Sequence, residues 1–205
     1  EIDSITGRIA QQLYQKNTIA IDGYENVNLP DSFFDVAVGN VPFGDFKVSD
    51  KRYDKHKFAI HDYFFAKTLD KVRPGGIIAF VTSKGTLDKE NPSVRRYIAK
   101  RADLIGAIRL PDNTFKDNAG TRVTSDIIFL QKRDHITDIE PDWVYLDTNK
   151  DGMKMNKYFI DNPDMILGKM VKTTWFDEIT CEAYENENLD EQLAKAITNI
   201  RAEFS

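Results

Sequence analysis

Apolar residues are spaced along the chain in two ways, and the switches between them mark out the elements. Ile5, Ile9, Ala10 and Leu13 recur at helical spacing, which predicts a helix over roughly 5–15 with Ser4 as its N-cap. The TIAI tetrapeptide at 18–21 is short and continuously apolar, so it predicts a strand. A turn at 31–34 leads into FFDVAVGN (33–40), a mostly apolar run that suits a strand buried on both faces. Residues 41–58 have no period and mix aromatic with charged side chains, as a loop does. Helical spacing returns over 59–72, with Ile60, Phe64, Ala66 or the stem of Lys67, and Leu69 near one stripe. Arg73-Pro74-Gly75-Gly76 stops that helix, and IIAFVTS (77–83) is a second buried strand. A helix over 93–102 follows the Asn91-Pro92 turn. A strand over 103–111, a polar loop over 112–125 and a last strand over 126–133 complete the series.

Helices alternating with apolar strands predict an α/β fold, a mostly parallel sheet with helices on its faces. The last two strands are joined by a loop and no helix, which predicts an antiparallel final strand. After Asp134 the texture changes. Trp143, Tyr145, Tyr158, Phe159, Trp175 and Phe176 fall in short turn-rich pieces, and Leu189, Leu193, Ala196, Ile197 and Ile200 mark a helix over 188–204. The division expected is a core over 1–134 and an irregular extension over 135–205 that ends in a helix.

Composition changes this picture in few places. A chain of 205 residues with 41% hydrophobic content can bury a core without disulfides or metals. Cys181 stands alone, so it forms no internal disulfide, and a reducing, cytoplasmic setting fits best. No run approaches a membrane-spanning length, and the first ten residues lack the pattern of a signal peptide. The net charge of −5 counts mildly against nucleic acid as a partner of this chain by itself. The acidity is concentrated after residue 134. The chain starts at Glu1, directly on an amphipathic segment, and is expected to be a piece of something longer.

The candidate chemistry lies in Asn40-Val41-Pro42-Phe43, at the end of the strand DVAVG. These residues resemble the target-base motif of amino-group methyltransferases, and the resemblance implies an exocyclic adenine amine as the group acted on. Such an amine is a poor nucleophile because its lone pair is delocalised into the ring. Two acceptors aimed at its two hydrogens favour the pyramidal form, whose lone pair can attack a sulfonium methyl in line. Asn40 offers a side-chain carbonyl as one acceptor, and the backbone carbonyl of Val41, held by rigid Pro42, is the second. Phe43 offers a flat face to a base that has left the duplex. Ligands collect at the carboxyl ends of strands in open α/β sheets, and Asn40 sits just past such an end. The bare pattern also describes an Asn-x-Pro turn leaving a strand.

These four residues resemble the Asn-Pro-Pro-Tyr/Phe motif of amino-group methyltransferases, and the resemblance covers most of 1–133. IHDYFFAKTLDKVRPGGIIAFVTSKGTLD is similar to the helix-strand unit after the target motif in type I-like and phage- or plasmid-borne adenine-N6 DNA methyltransferases. RADLIGAIRLPDNTFKDNAGTRVTSDIIFLQKR is similar to their last two strands. Asn-Val-Pro-Phe-Gly followed by Asp45, Tyr53 and Ile60-His61-Asp62 resembles mobile-element proteins that join a methylase to a helicase. The resemblance implies a Rossmann-like class I methyltransferase sheet, S-adenosyl-L-methionine as cofactor, and flipped adenine in DNA as substrate in a restriction-modification setting. A fused or partner helicase and a target-recognition domain are the implied partners. It places Glu1 and Ile2 at the strand end that binds the cofactor ribose, Glu25 near the cofactor adenine, and Asn40 at a strand end that also holds the cofactor. The family's glycine-rich loop is expected upstream of residue 1, so residues 1–205 alone are expected to bind S-adenosylmethionine weakly or not at all; calorimetric titration measures this, and a micromolar constant contradicts it. Val41 replaces the usual proline, at a position that acts through its carbonyl. A methylase-like remnant that binds DNA or protein, and a related methyltransferase acting on RNA or protein, are the competing readings.

Other candidates read as structure. His61 beside Asp62 suits a capping or structural role, because neighbours on a helix do not face each other. His56 and His135 have no metal-ligand spacing. Arg73-Pro74-Gly75-Gly76 is a turn and no phosphate cradle. Lys116, Thr121, Arg122 and Thr124 belong to a solvated loop or a contact to DNA backbone. Arg95, Arg96, Lys100 and Arg101 form the wet face of a helix.

Overall fold

Four strands form the main sheet of the computed structural model, which describes residues 1–42, 44, 46–116, 122–173 and 178–203. They are β1 (Phe34–Asn40), β2 (Val72–Ser83), β3 (Ala102–Leu110) and β4 (Ser125–Lys132), in the spatial order β1-β2-β4-β3. β1 and β2 pair in parallel, and β4 runs antiparallel to both β2 and β3. The reversed strand is therefore inserted between two parallel ones, and the 112–125 connection brings the chain back into that gap. Helix α2 (Ile60–Lys71) lies where the 59–72 periodicity put it, and α4 (Ser93–Ala99) follows the short α3 (Gly85–Asp88). Ile78 and Phe80 are paired with Ala37 and Gly39, and the Phe65 ring of α2 meets Phe80 edge-on at 5.2 Å.

Several expectations give way. The TIAI segment forms no strand: Gln11 Nε2 donates to the Ile19 carbonyl and the Glu1 ammonium to that of Ala20. A strand needs a neighbouring ladder, and the open edge of β1 does not hydrogen-bond to residues 18–21. For the same reason β1 is not buried on both faces. Val36 and Val38 are 56% and 74% exposed, while Ala37 packs against the buried core. Helix α1 (Ser4–Leu13) is capped by Asp3, whose carboxylate accepts the Thr6 amide at 2.6 Å, so Ser4 is the first helical residue and not the cap. The Arg-Pro-Gly-Gly turn is absorbed into β2, which begins at Val72, with Gly75 at φ +78°. Arg95 does not lie on a wet face. It is 1% exposed and donates to the carbonyls of Val144 (2.7 Å) and Lys89 (2.8 Å).

Residues after 134 add two small antiparallel ladders, β5 (Leu146–Thr148) with β6 (Lys154–Asn156) and β7 (Lys169–Lys172) with β8 (Ile179–Glu182). A helix over Leu189–Ile197 follows, shorter than the stretch its periodicity covers because Thr198 and Asn199 close it with tight turns. Trp143, Val144, Met155, Phe159, Met165 and Leu167 share one buried cluster with Phe65, Ile78, Ile108, Ile128 and Leu130 of the sheet and its helix. Trp175 and Phe176 lie outside the described residues.

Cys181 on β8 is fully buried, and burial pushes its thiol up to about 12. Because the thiolate is the reactive form, alkylation at neutral pH should be slow in the folded protein and rapid in denaturant. Mass spectrometry over time measures this; rapid native labelling would contradict the burial.

Candidate active site at the carboxyl end of β1

Asn40 is the last residue of β1 and lies opposite Val81. One position further, the Val41 amide donates to the Val81 carbonyl at 2.9 Å, and the Val41 side chain is buried in the core. The ladder thus fixes the backbone up to the residue whose carbonyl is at issue. Pro42 is exposed, and Phe43 lies outside the described residues. Asn40 is exposed, and among the described residues neither its side chain nor the Val41 carbonyl has a hydrogen-bond partner.

Both residues border a cavity of about 740 Å³ against the open side of β1. Phe64, Thr68 and Lys71 of α2, Val72 and Phe80 of β2, and Asn17, Thr18, Tyr24 and Leu29 of the segment before β1 also line it. Tyr24 is held there by its ring contact with Phe64 (4.8 Å) and by a 3.0 Å hydrogen bond between its hydroxyl and that of Thr68. Burial raises the Tyr24 hydroxyl above its usual range, against the pull of Thr68, so it stays neutral. Aromatic walls with a few polar groups among them suit a small ligand carrying a flat ring.

The structure brings Asn40 and Val41 to this cavity and leaves Glu1, Ile2 and Glu25 outside its lining. The Glu1 carboxylate accepts the Asp3 amide at 3.0 Å, and Ile2 is exposed. The Glu25 carboxylate folds over Gly23, and its backbone carbonyl accepts from Lys67. Sequence reading missed Tyr24, Thr68 and Phe80 as wall residues, and it treated Lys67 only as an apolar stem. A lysine on the buried stripe of α2 was the available signal.

Elsewhere, His61 Nε2 lies 3.5 Å from Asp62 Oδ1, and Asp62 Oδ2 accepts from Lys89 at 2.7 Å. In the 112–125 loop Lys116 and Arg122 are exposed and Thr121 lies outside the described residues. Thr124 is buried, bonded to the Thr180 hydroxyl and the Cys181 amide. Among the described residues no cluster of metal-binding side chains occurs, and no helix is long and apolar enough to cross a membrane.

A sheet with one strand reversed between parallel neighbours has the arrangement of the class I methyltransferase fold, and the cavity runs along β1 as far as its carboxyl end. A solved Listeria monocytogenes protein assigned to the class I S-adenosylmethionine-dependent methyltransferases shares it, at TM-score 0.53 and 20% identity over 69% of this chain and 45% of that one. So does a modification subunit assigned to a type I restriction enzyme of Vibrio vulnificus, at TM-score 0.51 and 18% identity over 92% of this chain and 47% of that one. The family model for N-6 DNA methylase matches residues 5–179, and the chain belongs to that family. S-adenosyl-L-methionine is the cofactor of these enzymes. "Defense against restriction protein B" of Escherichia phage P1 is 34% identical over 138 residues, 64% of this chain. The chain spans 6% of that relative and under half of either solved structure.

Proposed function

We propose that the protein transfers a methyl group from S-adenosylmethionine to the N6 amine of adenine in DNA, with Asn40, Val41, Pro42 and Phe43 as its target-base motif. The observation that carries this reading is the pair of acceptors, the Asn40 side chain and the Val41 carbonyl, that have no partner among the described residues and sit on adjacent residues lining the cavity. The cofactor supplies an electrophilic methyl on a sulfonium. The chain's own work is to accept hydrogen bonds from both amine hydrogens as the amine pyramidalises, and to hold the acceptors rigid through the Val41–Val81 ladder bond. Tyr24, Phe64 and Phe80 offer the cofactor's rings and sulfonium an aromatic wall. Glu1 with Ile2 and Glu25 belong to the cofactor side of this proposal. The Glu1 ammonium is tied to Ala20, close in sequence to the wall residue Thr18, and Glu25 adjoins Tyr24.

DNA is the proposed substrate because the family is named for it, and the name of the phage relative fits. Methylating adenine N6 alters a donor that proteins read in the major groove, which is a means of defence against restriction. A helicase and a target-recognition domain, fused or separate, are the proposed partners. The test is incorporation of labelled methyl groups, using protein expressed from its complete reading frame. Duplex DNA containing adenine should be labelled at N6; transfer only to RNA or protein, or none, would overturn the proposal. Phe43→Ala should weaken capture of the flipped base by about 1–3 kcal/mol, and Phe43→Tyr should retain most activity, since stacking needs a flat face. Binding to a duplex with an abasic site opposite thymine, compared with adenine, separates base capture from backbone affinity.

A further inference from the structure

Lys67 on α2 is 4% exposed, and a buried ammonium is costly unless each proton finds an acceptor. Its three acceptors are the Tyr24 carbonyl at 2.7 Å, the Glu25 carbonyl at 3.1 Å and Asp50 Oδ2 at 3.2 Å. The ring centroids of Tyr24 and Tyr63 lie 5.1 and 5.7 Å from Nζ, within cation–π range. These acceptors come from two segments on opposite sides of β1 in the chain. Residues 24–25 precede it and supply the Tyr24 ring to the cavity wall. Asp50 belongs to the loop that leaves Asn40-Val41-Pro42 and returns to α2.

We propose that Lys67 is a positioning residue that fixes the cofactor-side segment at 24–25 and the target-side loop at Asp50 against each other. The assignment of the two sides rests on the methyltransferase reading above. Among the described residues, Lys67 is the only side chain hydrogen-bonded to both Tyr24 or Glu25 and Asp50. Each end is anchored in its own right. Asp50 Oδ2 also accepts the Tyr63 hydroxyl at 2.7 Å, and Asp50 Oδ1 accepts the Arg52 amide at 3.1 Å. Burial works to raise the Asp50 carboxyl, but Tyr63, Arg52 and Lys67 outweigh it and hold it below the usual carboxylate range. On the other side the Tyr24 hydroxyl is tied to Thr68, the residue next to Lys67. An ordinary stabilising ion pair would need only Asp50. Here two backbone carbonyls from a remote segment share the same ammonium, so displacement of one segment costs the other its contact.

The test uses protein expressed from its complete reading frame. Lys67→Met keeps the apolar stem and removes the ammonium. The KM values for S-adenosylmethionine and for an adenine-containing duplex should both rise about tenfold, as expected for residues coupled in one network, with kcat at saturation within about threefold. Lys67→Arg should stay near wild type in both. A purely stabilising residue would lower the active fraction, and so kcat, and leave both KM values unchanged; that result would overturn the proposal. Hydrogen exchange of the protein without substrates provides the second arm. In Lys67→Met the amides of 22–26 and 46–54 should exchange faster together, while Val41 and the β2 amides stay protected. Should that variant not fold, Asp50→Asn applies the same test, because loss of its partner at 50 should loosen 24–26 as well. Loosening of one segment alone in the variant tested would overturn the proposal. Because exchange needs no methyl transfer, an inactive protein would sink the methylation reading and leave this coupling to be decided by its own result.

Discussion

Under the proposed reading, Asn40→Ala is expected to lower methyl transfer by about a hundredfold and to leave DNA affinity almost unchanged, the size of loss that follows when one positioned polar partner is removed from a transition state. Geometry at the end of β1 sets the size of the effect. The proposed substrate amine is weakly nucleophilic until both hydrogens are engaged, and Asn40 and Val41 offer two acceptors. One is a side chain that substitution removes, and the other is the Val41 carbonyl that substitution leaves. Asn40 is exposed and packs against little, so its loss should not unfold the protein. The Val41–Val81 ladder bond persists in the variant, which keeps the second acceptor in place and makes the loss partial. Phosphate contacts dominate DNA affinity, and Asn40 carries no charge to make one. Asn40→Asp is the sharper control. It keeps acceptor oxygens but adds a negative charge beside the proposed sulfonium, so binding of the cofactor should strengthen or hold while kcat falls. The measurements are initial rates of labelled methyl incorporation, with duplex binding followed separately. A rate for Asn40→Ala within a fewfold of wild type would return Asn40-Val41-Pro42 to the role of a turn.

The parts of the fold that were legible in the sequence are those decided by local periodicity. Ile60, Phe64 and Leu69 repeat at helical spacing, and the helix runs Ile60–Lys71. A polar loop between two apolar runs meant an antiparallel pair, and β3 and β4 are one. Asn40-Val41-Pro42-Phe43 stood out for a different reason, a resemblance to a family motif, and its role is the proposal made above. What stayed hidden depends on partners far away in the chain. Arg95 looks like any surface arginine until Val144, remote in sequence, presents its carbonyl. Lys67 was legible as a stem, but not as a link, because its acceptors lie in two loops. Strand formation at 18–21 requires a ladder that local sequence cannot supply. Asp3 and Ser4 are both good helix caps, and only the 2.6 Å contact to Thr6 distinguishes them.

The largest loss of stability should come from Arg109→Met, at about 3–5 kcal/mol, the range for breaking a buried ion pair by removing one partner. Arg109 on β3 is fully buried. Its Nε and Nη2 donate to the two oxygens of Asp126 on β4, at 2.8 and 2.9 Å, and Nη1 lies 2.8 Å from Asp88. The guanidinium carbon sits 4.3 Å from the centre of the Phe159 ring. One cation therefore holds α3, two strands and the segment after β6 together, with two carboxylates depending on it. Without it, Asp126 is a buried charge opposed only by the weaker attraction of Lys84, which favours taking up a proton or opening the site. Burial already raises the Asp126 carboxyl in the intact protein despite the pull of Arg109. The sign of the pH effect follows. A carboxyl whose folded pKa lies above its unfolded value binds more protons in the native state, so stability falls as pH rises. Arg109→Met should thus be more stable at pH 5 than at pH 7, with a steeper pH dependence than wild type. Replacing both partners with apolar residues, Arg109→Met with Asp126→Leu, should recover part of the loss because one stranded charge is gone. Urea denaturation at both pH values measures all of these. A single variant within about 1 kcal/mol of wild type, well below that range, would show that the ion pair is not what holds these elements together.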